Sequence, residues 1–562
     1  MNWLEETRQE LRKDLTQAAE AARAAGEISF ETVPDFVIER PREKAHGDFA
    51  ANMAMLMSRQ AKMPPRKIAE AILAHLYKEE TPLWVENVEI AGAGFINFRM
   101  QAHWLTDGLA DAVGQGKSFG ESNAGGGQKV NVEFVSANPT GELHLGNARG
   151  AAIGDSLANI MQAAGYDVTR EYYINDAGKQ IENFGLSLEA RYLQQFEQNV
   201  PFPEDGYHGE DIITTVKEYI AAEGDKLLET QPAERQAELI RYALARKIGA
   251  IREALAHYGV EYDVWFSEQT LHDGGEVLGA VQKLKEEGAV IEQDGALWFA
   301  ADKFGCEKPE VLVRANGIPT YYAADIAYHK NKYERGFTRL INIWGADHHG
   351  HVARLKAALS ALGYPADELE IILMQLVRLF SGGEIMRMSK RAGTYVTLEE
   401  LLAEVGKDAA RFFFVMRSAD SQMDFDLDLA KSQSMDNPVY YVQYAHARIN
   451  SIINQAAEQG IQLAALENVN FGLLTDETER DLLRRLLELP DEIAQAAVQE
   501  APHRIAAYVM ELSALFHSFY GACRVLGVEQ DLQAARLWLC RVTADAVAKC
   551  LGLLGVSAPQ KM

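Results

Sequence analysis

Cysteine is scarce in this chain: Cys306, Cys523, Cys540 and Cys550 are the only four in 562 residues. No two form a C-x-x-C pair, so neither a cysteine zinc knob nor a dithiol redox motif is indicated. So sparse a set suits a reducing compartment. Long apolar runs are missing as well. No stretch of 18 apolar residues occurs, and the opening MNWLEETRQELRKDL is charged where a secretion signal would be apolar. A cytoplasmic protein with no membrane partner is expected. Positive charge is also short: 55 Lys and Arg stand against 81 Asp and Glu, a net charge of −26. That balance argues against a general nucleic-acid binder, which needs cations for phosphate, but allows a local basic surface. Residues 501–562 show a mild reversal, with six bases (Arg504, Arg524, Arg536, Arg541, Lys549, Lys561) against four acids (Glu511, Glu529, Asp531, Asp545).

The length predicts about three or four domains at roughly 100–200 residues each. Near the N-terminus, Trp3, Leu4, Leu11 and Leu15 sit near helical spacing before Gly26. A second helical run is read from Phe49 through Met53, Leu56 and Met57. A third opens at Pro64-Pro65 with Ile68, Ile72 and Leu76. Strand-like runs follow at Val88–Ile90 and Phe95–Phe98. The segment GESNAGGGQKV (120–130) reads as a linker. After it, an apolar run (130–135), a turn at Asn138-Pro139-Thr140-Gly141 and a helix from about Gly146 make a strand–turn–helix unit of nucleotide-binding type. Strands at Val311–Arg314 and Leu340–Trp344 are expected to complete one split parallel sheet. In the last 130 residues, Ile505, Val509, Leu512, Phe516 and Phe519 step by four and three. So do Leu537, Cys540, Ala544, Val547, Leu551 and Leu554, and earlier Val442, Ala445, Ile449 and Ile452. Such stripes predict an all-helical bundle.

Two short motifs carry chemistry. His144-Leu145-Gly146-Asn147 sits where a strand gives way to a helix. Free N–H groups and the helix dipole attract phosphate there, glycine allows close approach, and an imidazole can donate to phosphate oxygens. Met388-Ser389-Lys390 lies in SGGEIMRMSKRAGTYV, between Gly382-Gly383 and Gly393. A lysine on a flexible loop can close over a triphosphate and neutralise the departing pyrophosphate. His348, His349 and His351 invite a metal reading, but no completing Cys or carboxylate spacing is present, and no protein-bound metal is expected.

In this order, the two motifs resemble the HIGH and KMSK motifs of class I aminoacyl-tRNA synthetases. SANPTGELHLGNARG (136–150), TYYAADIAYH (320–329), WGADHHGHV (344–352), LLGVSAP (553–559) and AHGDFAANMA (45–54) are similar to arginyl-tRNA synthetases in particular. The resemblance implies a multidomain α/β protein. A small N-terminal α/β domain (1–115) would touch the tRNA elbow. A split Rossmann-like catalytic domain (116–375) would carry a helical insertion around 190–260. A stem with the MSK loop (376–432) and a helical anticodon-binding domain (433–562) would follow. It implies ATP as substrate with Mg²⁺ on its phosphates, L-arginine and arginine tRNA as partners, and a monomer. By position, His144, Gly146, Asn147, Met388, Ser389 and Lys390 would meet ATP, with His144 and Lys390 catalytic. Gly345 and Asp347 would join the ATP site. Glu133, Ser136, Asn138, Tyr321, Asp325 and His348 would line the arginine pocket. Asn147 stands in place of the second His of HIGH, and Arg387 and Arg391 flank MSK where the pattern often has Lys and Ser.

A guanidinium is planar, always charged and offers five donors, so a selective pocket needs a carboxylate at forked hydrogen-bonding distance. Glu133 and Asp325 are the candidates, one for the guanidinium and the other for the α-ammonium. In the helical domain, Tyr440, Tyr441, Tyr444 and Tyr520 are candidate stacking platforms for unpaired bases. A short nucleotidyltransferase is the competing enzyme class, but the MSK loop and the helical domain are foreign to it. A non-catalytic tRNA-binding paralogue would be expected to lose motif residues, and His144, Gly146 and Lys390 are all present. Lys390→Ala is expected to slow arginine-dependent ATP–pyrophosphate exchange roughly 10²–10³-fold, about 2.7–4 kcal/mol of transition-state stabilisation.

Overall fold

The computed structural model describes residues 3–41, 43–78, 80–306, 309–386 and 396–562. Among them, no helix is long and apolar enough to cross a membrane.

The N-terminal unit opens with helix Trp3–Ala24, which buries Leu4, Leu11 and Leu15 along one side. Its antiparallel sheet runs, in spatial order, Ile38–Glu39, Phe49–Ala51, Phe95–Met100 and Val85–Ala91. Helices Met53–Ala61 and Pro65–His75 connect its strands, the latter with Pro65 where a missing N–H costs nothing. Phe49 differs from its expected place in a helix. It pairs with Phe98 across the sheet, and the helix starts only at Met53. Ion pairs Arg8–Asp491, Arg40–Glu488 and Arg484–Asp48 join this unit to the C-terminal helices.

The central sheet has five parallel strands: β1 (Lys129–Glu133), β2 (Asp167–Ile174), β3 (Val264–Ser267), β4 (Arg339–Gly345) and β5 (Leu369–Met374). Their spatial order is β3-β2-β1-β4-β5. Strand order therefore reverses between β1 and β4, and ligands of such sheets bind beyond the carboxyl ends of the strands at that point. Helix α1 (Leu145–Ala163) covers one face, and α2 (Tyr321–Glu334) and α3 (His349–Ala361) belong to the other. Val130, Val132, Phe134, Ile341 and Ile343 pack in the core that includes α1. Gly154 of α1 sits so close to Phe134 that a Cβ there would collide with the ring.

The segment Glu310–Val313 departs from the expected parallel sheet. It pairs antiparallel with Ala296–Phe299, which pairs with Val290–Gln293, in a separate three-stranded sheet. A partner strand ten residues upstream closes a shorter loop than the distant parallel strands would. Helices Lys179–Gln195, Glu210–Glu223 and Pro232–His257 fill the crossover from β2 to β3 and share a small core of their own. The glycine-rich 120–130 segment is tied down, because the N–H groups of Ser122, Gly125 and Gly127 donate to carbonyls of Ala163, Ala164 and Gly165.

Past β5, strands Val377–Ser381, Glu384–Ile385 and Met423–Asp426 flank helix Leu398–Val415. The chain ends in helices Pro438–Glu458, Glu477–Leu487, Leu489–Val498, His503–Ala522 and Gln530–Leu553. Every residue of the three apolar stripes is buried. Two fully buried arginines lock these parts together. Arg149 of α1 donates to the carbonyls of Gln375, Ser418 and Ser421. Arg411 donates to the carbonyls of Leu554, Tyr258 and Gly259 and to the Asp155 carboxylate. Asp155→Ala would leave a buried guanidinium without its counter-charge. A loss of about 3–5 kcal/mol is expected in denaturant unfolding, with much of it regained in the double variant Asp155→Leu/Arg411→Met.

Candidate active site

The carboxyl end of β1 turns sharply. Val135 and Ser136 both lie in the left-handed region, at φ 68° and 42°. A β-branched residue there is strained, and such strain persists only where the surroundings hold it. Here the Tyr172 hydroxyl donates to the Ala137 carbonyl at 2.8 Å, and the Tyr262 hydroxyl to that of Phe134 at 3.0 Å. The Ser136 hydroxyl donates to Glu133 Oε1 at 3.0 Å and accepts from the Tyr173 N–H at 3.1 Å. Asn138, further along and exposed, donates to Gln180 at 3.0 Å.

His144 caps α1 with its own side chain. Its Nδ1 accepts from the N–H groups of Gly146 (3.1 Å) and Asn147 (3.3 Å), and Asn147 Oδ1 accepts from the His144 N–H at 3.0 Å. The amides expected to be free for phosphate are therefore engaged, and the Leu145 N–H donates to the Val396 carbonyl. The ring lies so near Gly146 that a Cβ there would stand 3.0 Å from His144 Cε1. Burial pulls the imidazole below its ordinary range. With Nδ1 accepting, the single proton of the neutral ring is on Nε2, which makes Nε2–H a donor.

Met388, Ser389 and Lys390 lie outside the described residues. The chain resumes beside HLGN: the Leu398 N–H donates to the Leu143 carbonyl, and Thr397 bridges His144.

Across the switch point, Asp325 of α2 is held by two histidines. His351 Nε2 of α3 is 2.6 Å from Oδ2, and His329 Nδ1 is 3.1 Å from Oδ1. Burial opposes its ionisation, but the hydrogen bonds that His329 and His351 donate favour the charged form, and the carboxyl is held well below the usual range. Tyr321, one turn earlier, stands exposed at the rim, its ring 5.9 Å from that of His351. Glu133 is buried and pairs with the fully buried Lys332 at 2.6 Å. At the end of β4, Gly345 leaves room for the Asp347 carboxylate, which would collide with a side chain there. His348 is exposed, 3.6 Å from Asp347, with its ring 6.0 Å from that of Trp344. The three clustered histidines thus diverge, His351 inward and the other two to solvent. Among the described residues, no group of three metal-capable side chains converges.

Sequence reasoning missed Lys332, His329 and Asn342, and weighed His351 only as a metal ligand where the structure sets it on Asp325. A signal was available: Asp325, His329 and Lys332 are spaced i, i+4, i+7 on one face of a helix whose positions 321–328 are otherwise apolar or aromatic.

Half-buried tyrosines cluster on the helical domain. The rings of Tyr440 and Tyr444 lie parallel at 6.3 Å. Arg448 sits 4.5 Å over Tyr520 and donates to the Tyr444 hydroxyl at 2.8 Å.

Family models match along nearly the whole chain. The arginyl tRNA synthetase N terminal domain matches residues 8–100, the class I (R) tRNA synthetase catalytic domain 109–454, and the DALR anticodon binding domain 442–562. An arginine–tRNA ligase of Moorella thermoacetica is 58% identical over all of both chains. The chain belongs to the arginyl-tRNA synthetases. An arginine–tRNA ligase of Desulfitobacterium hafniense is 57% identical over 98% of each chain. The arginyl-tRNA synthetase structure of Thermus thermophilus shares the fold at a TM-score of 0.75 and 24% identity, covering 99% of this chain and 100% of that one.

Since His144 is a cap as well as a donor, His144→Ala is expected to cost about 1 kcal/mol of stability at pH 8 and His144→Asn only a few tenths. With the folded value depressed, the histidine's contribution is full above the unfolded value of about 6.5 and is lost as pH falls below it. Denaturant unfolding at pH 8 and 5.5 should therefore show wild type losing more stability than His144→Asn.

Proposed function

We propose that this chain is an arginine–tRNA ligase that works at the crevice between β1 and β4. The arginine carboxylate attacks the α-phosphate of ATP, pyrophosphate leaves, and arginyl-adenylate remains. A hydroxyl at the tRNA 3′ end then attacks the arginyl carbonyl, forming the ester and releasing AMP. The observation that carries the reading is the Asp325 carboxylate of α2, ionised and held by His329 of α2 and His351 of α3, across the switch point from the HLGN cap.

His144 donates from Nε2 to phosphate oxygens. Gly146 and Asn147 shape the approach, and Gly345 and Asp347 bound the adenosine side. Mg²⁺ enters as part of the nucleotide substrate, carried by phosphate oxygens. Lys390, with Met388 and Ser389, supplies the cation for the leaving pyrophosphate. Asp325 takes one of arginine's cationic ends, Tyr321 closes over it from the rim, and Ser136, Asn138 and His348 line the approach. Glu133 works from the floor, its charge balanced by Lys332. The tRNA meets the N-terminal domain at its elbow. The tyrosine–arginine patch of the helical domain offers stacking faces to anticodon bases. The enzyme acts as a cytoplasmic monomer.

Asp325→Ala is expected to abolish arginine binding in calorimetry while ATP binding persists. Normal arginine affinity in that variant would remove Asp325 from the pocket. ATP–pyrophosphate exchange with arginine, run with and without tRNA, tests the reaction itself. No exchange in either case, together with no charging of tRNA, would refute it.

A further inference from the structure

A continuous line of buried polar groups joins the two acidic residues of the pocket. The Lys332 ammonium is fully buried. It donates to Glu133 Oε2 at 2.6 Å and to Asn342 Oδ1 at 3.2 Å, and lies 4.4 Å over the Tyr328 ring. Asn342, also fully buried, sits on β4 in register with Glu133 on β1. An ammonium has no acceptor, so the carbonyl end of the Asn342 amide must face it. The NH₂ end then faces His329, 2.8 Å from Nε2. A ring nitrogen that accepts a hydrogen bond carries no proton. His329 is therefore neutral with its one proton on Nδ1, the atom 3.1 Å from Asp325 Oδ1 and 2.8 Å from the Asp325 carbonyl oxygen.

The other neighbours agree. His351 donates to Asp325 from Nε2, and its buried Nδ1 has no hydrogen-bond partner among the described residues. A second proton there would be left without an acceptor, so this ring is neutral too. From β4 the Trp344 ring stands edge-on, 6.5 Å from His329, and brings no charge. Glu133 lies beyond Lys332 and is balanced by it.

We propose that Lys332 and Asn342 are positioning residues for arginine selection. They act as a donor-only anchor and a relay that lock His329 in its uncharged Nδ1–H form. Asp325 thereby keeps its whole negative charge for the substrate cation. This rests on the reading of Asp325 as an arginine contact and adds what sets the charge of that contact.

Asn342→Asp tests it with almost no change of shape. A carboxylate accepts from both Lys332 and His329, so His329 gains a second proton and its cation offsets Asp325. Calorimetric Kd for arginine is expected to rise at least about tenfold at pH 7. The defect should shrink as pH is raised from 6 to 9, with ATP affinity unchanged and no such trend in wild type. Wild-type affinity, or a defect of constant size across that range, would overturn the proposal. A measurement on the unmodified protein stands beside it in case the variant fails to fold. In ¹⁵N spectra of the histidine rings, with the His329 signal assigned by its loss in His329→Gln, a neutral Nδ1–H ring is expected at pH 6. An Nε2–H or doubly protonated ring would overturn the proposal. If Asp325→Ala binds arginine normally, the pocket reading falls, and the ring spectrum still decides the tautomer separately.

Discussion

A guanidinium with no access to water must have its N–H groups met by the protein, and Arg411 meets that demand by drawing on three parts of the chain at once. Its acceptors are the end of the long insertion helix, a carboxylate on α1, and the carbonyl that closes the last helix of the bundle. Leaving any of them unmade costs about 1–3 kcal/mol per group, and more where the charge is exposed to apolar surroundings. The arrangement therefore fixes the catalytic sheet against the helical domain. Gly555 belongs to the same constraint, since a Cβ there would overlap the Arg411 guanidinium. Arg149 repeats the device nearer the N-terminus of α1 by holding the loops after β5 and around Ser418–Ser421. A helix clamped at two points, Arg149 and Asp155, has its N-terminus held in place.

The pocket is built on the same logic of compulsory pairing. Strand β1 shows apolar side chains to α1 and polar ones, Asn131 and Glu133, to the layer beneath α2. A parallel sheet covered on both faces gives such groups no solvent, so each has a designated partner. Glu171 receives two bonds from Arg335 and one each from Tyr328 and Asn131. Side chains so occupied have little freedom to reorient, which is what preorganised charge requires.

Much of this was legible in the sequence. The apolar stripes of the last three long helices, the strand–turn–helix at HLGN and the spacing of Tyr321 from Asp325 all follow periodicities that depend on local geometry alone. What escaped notice depended on tertiary partners. Phe49 resembles the first residue of a helix until Phe98 is seen beside it. Val311 reads as a parallel strand because a short apolar run does not say which neighbour it will pair with. Lys332 and Asn342 look like ordinary polar residues, one among 55 Lys and Arg, and only burial makes them obligatory. The left-handed Val135 and Ser136 have no spelling at all, since neither residue type favours that conformation.

The self-capped end of α1 has one more effect. With its leading amides already satisfied by His144 and Val396, the empty cleft offers little to a free phosphate or sulfate ion, which would need several N–H groups at once. A helix end occupied by its own side chain is thus a poorer seat for a bare anion than one whose amides stand open.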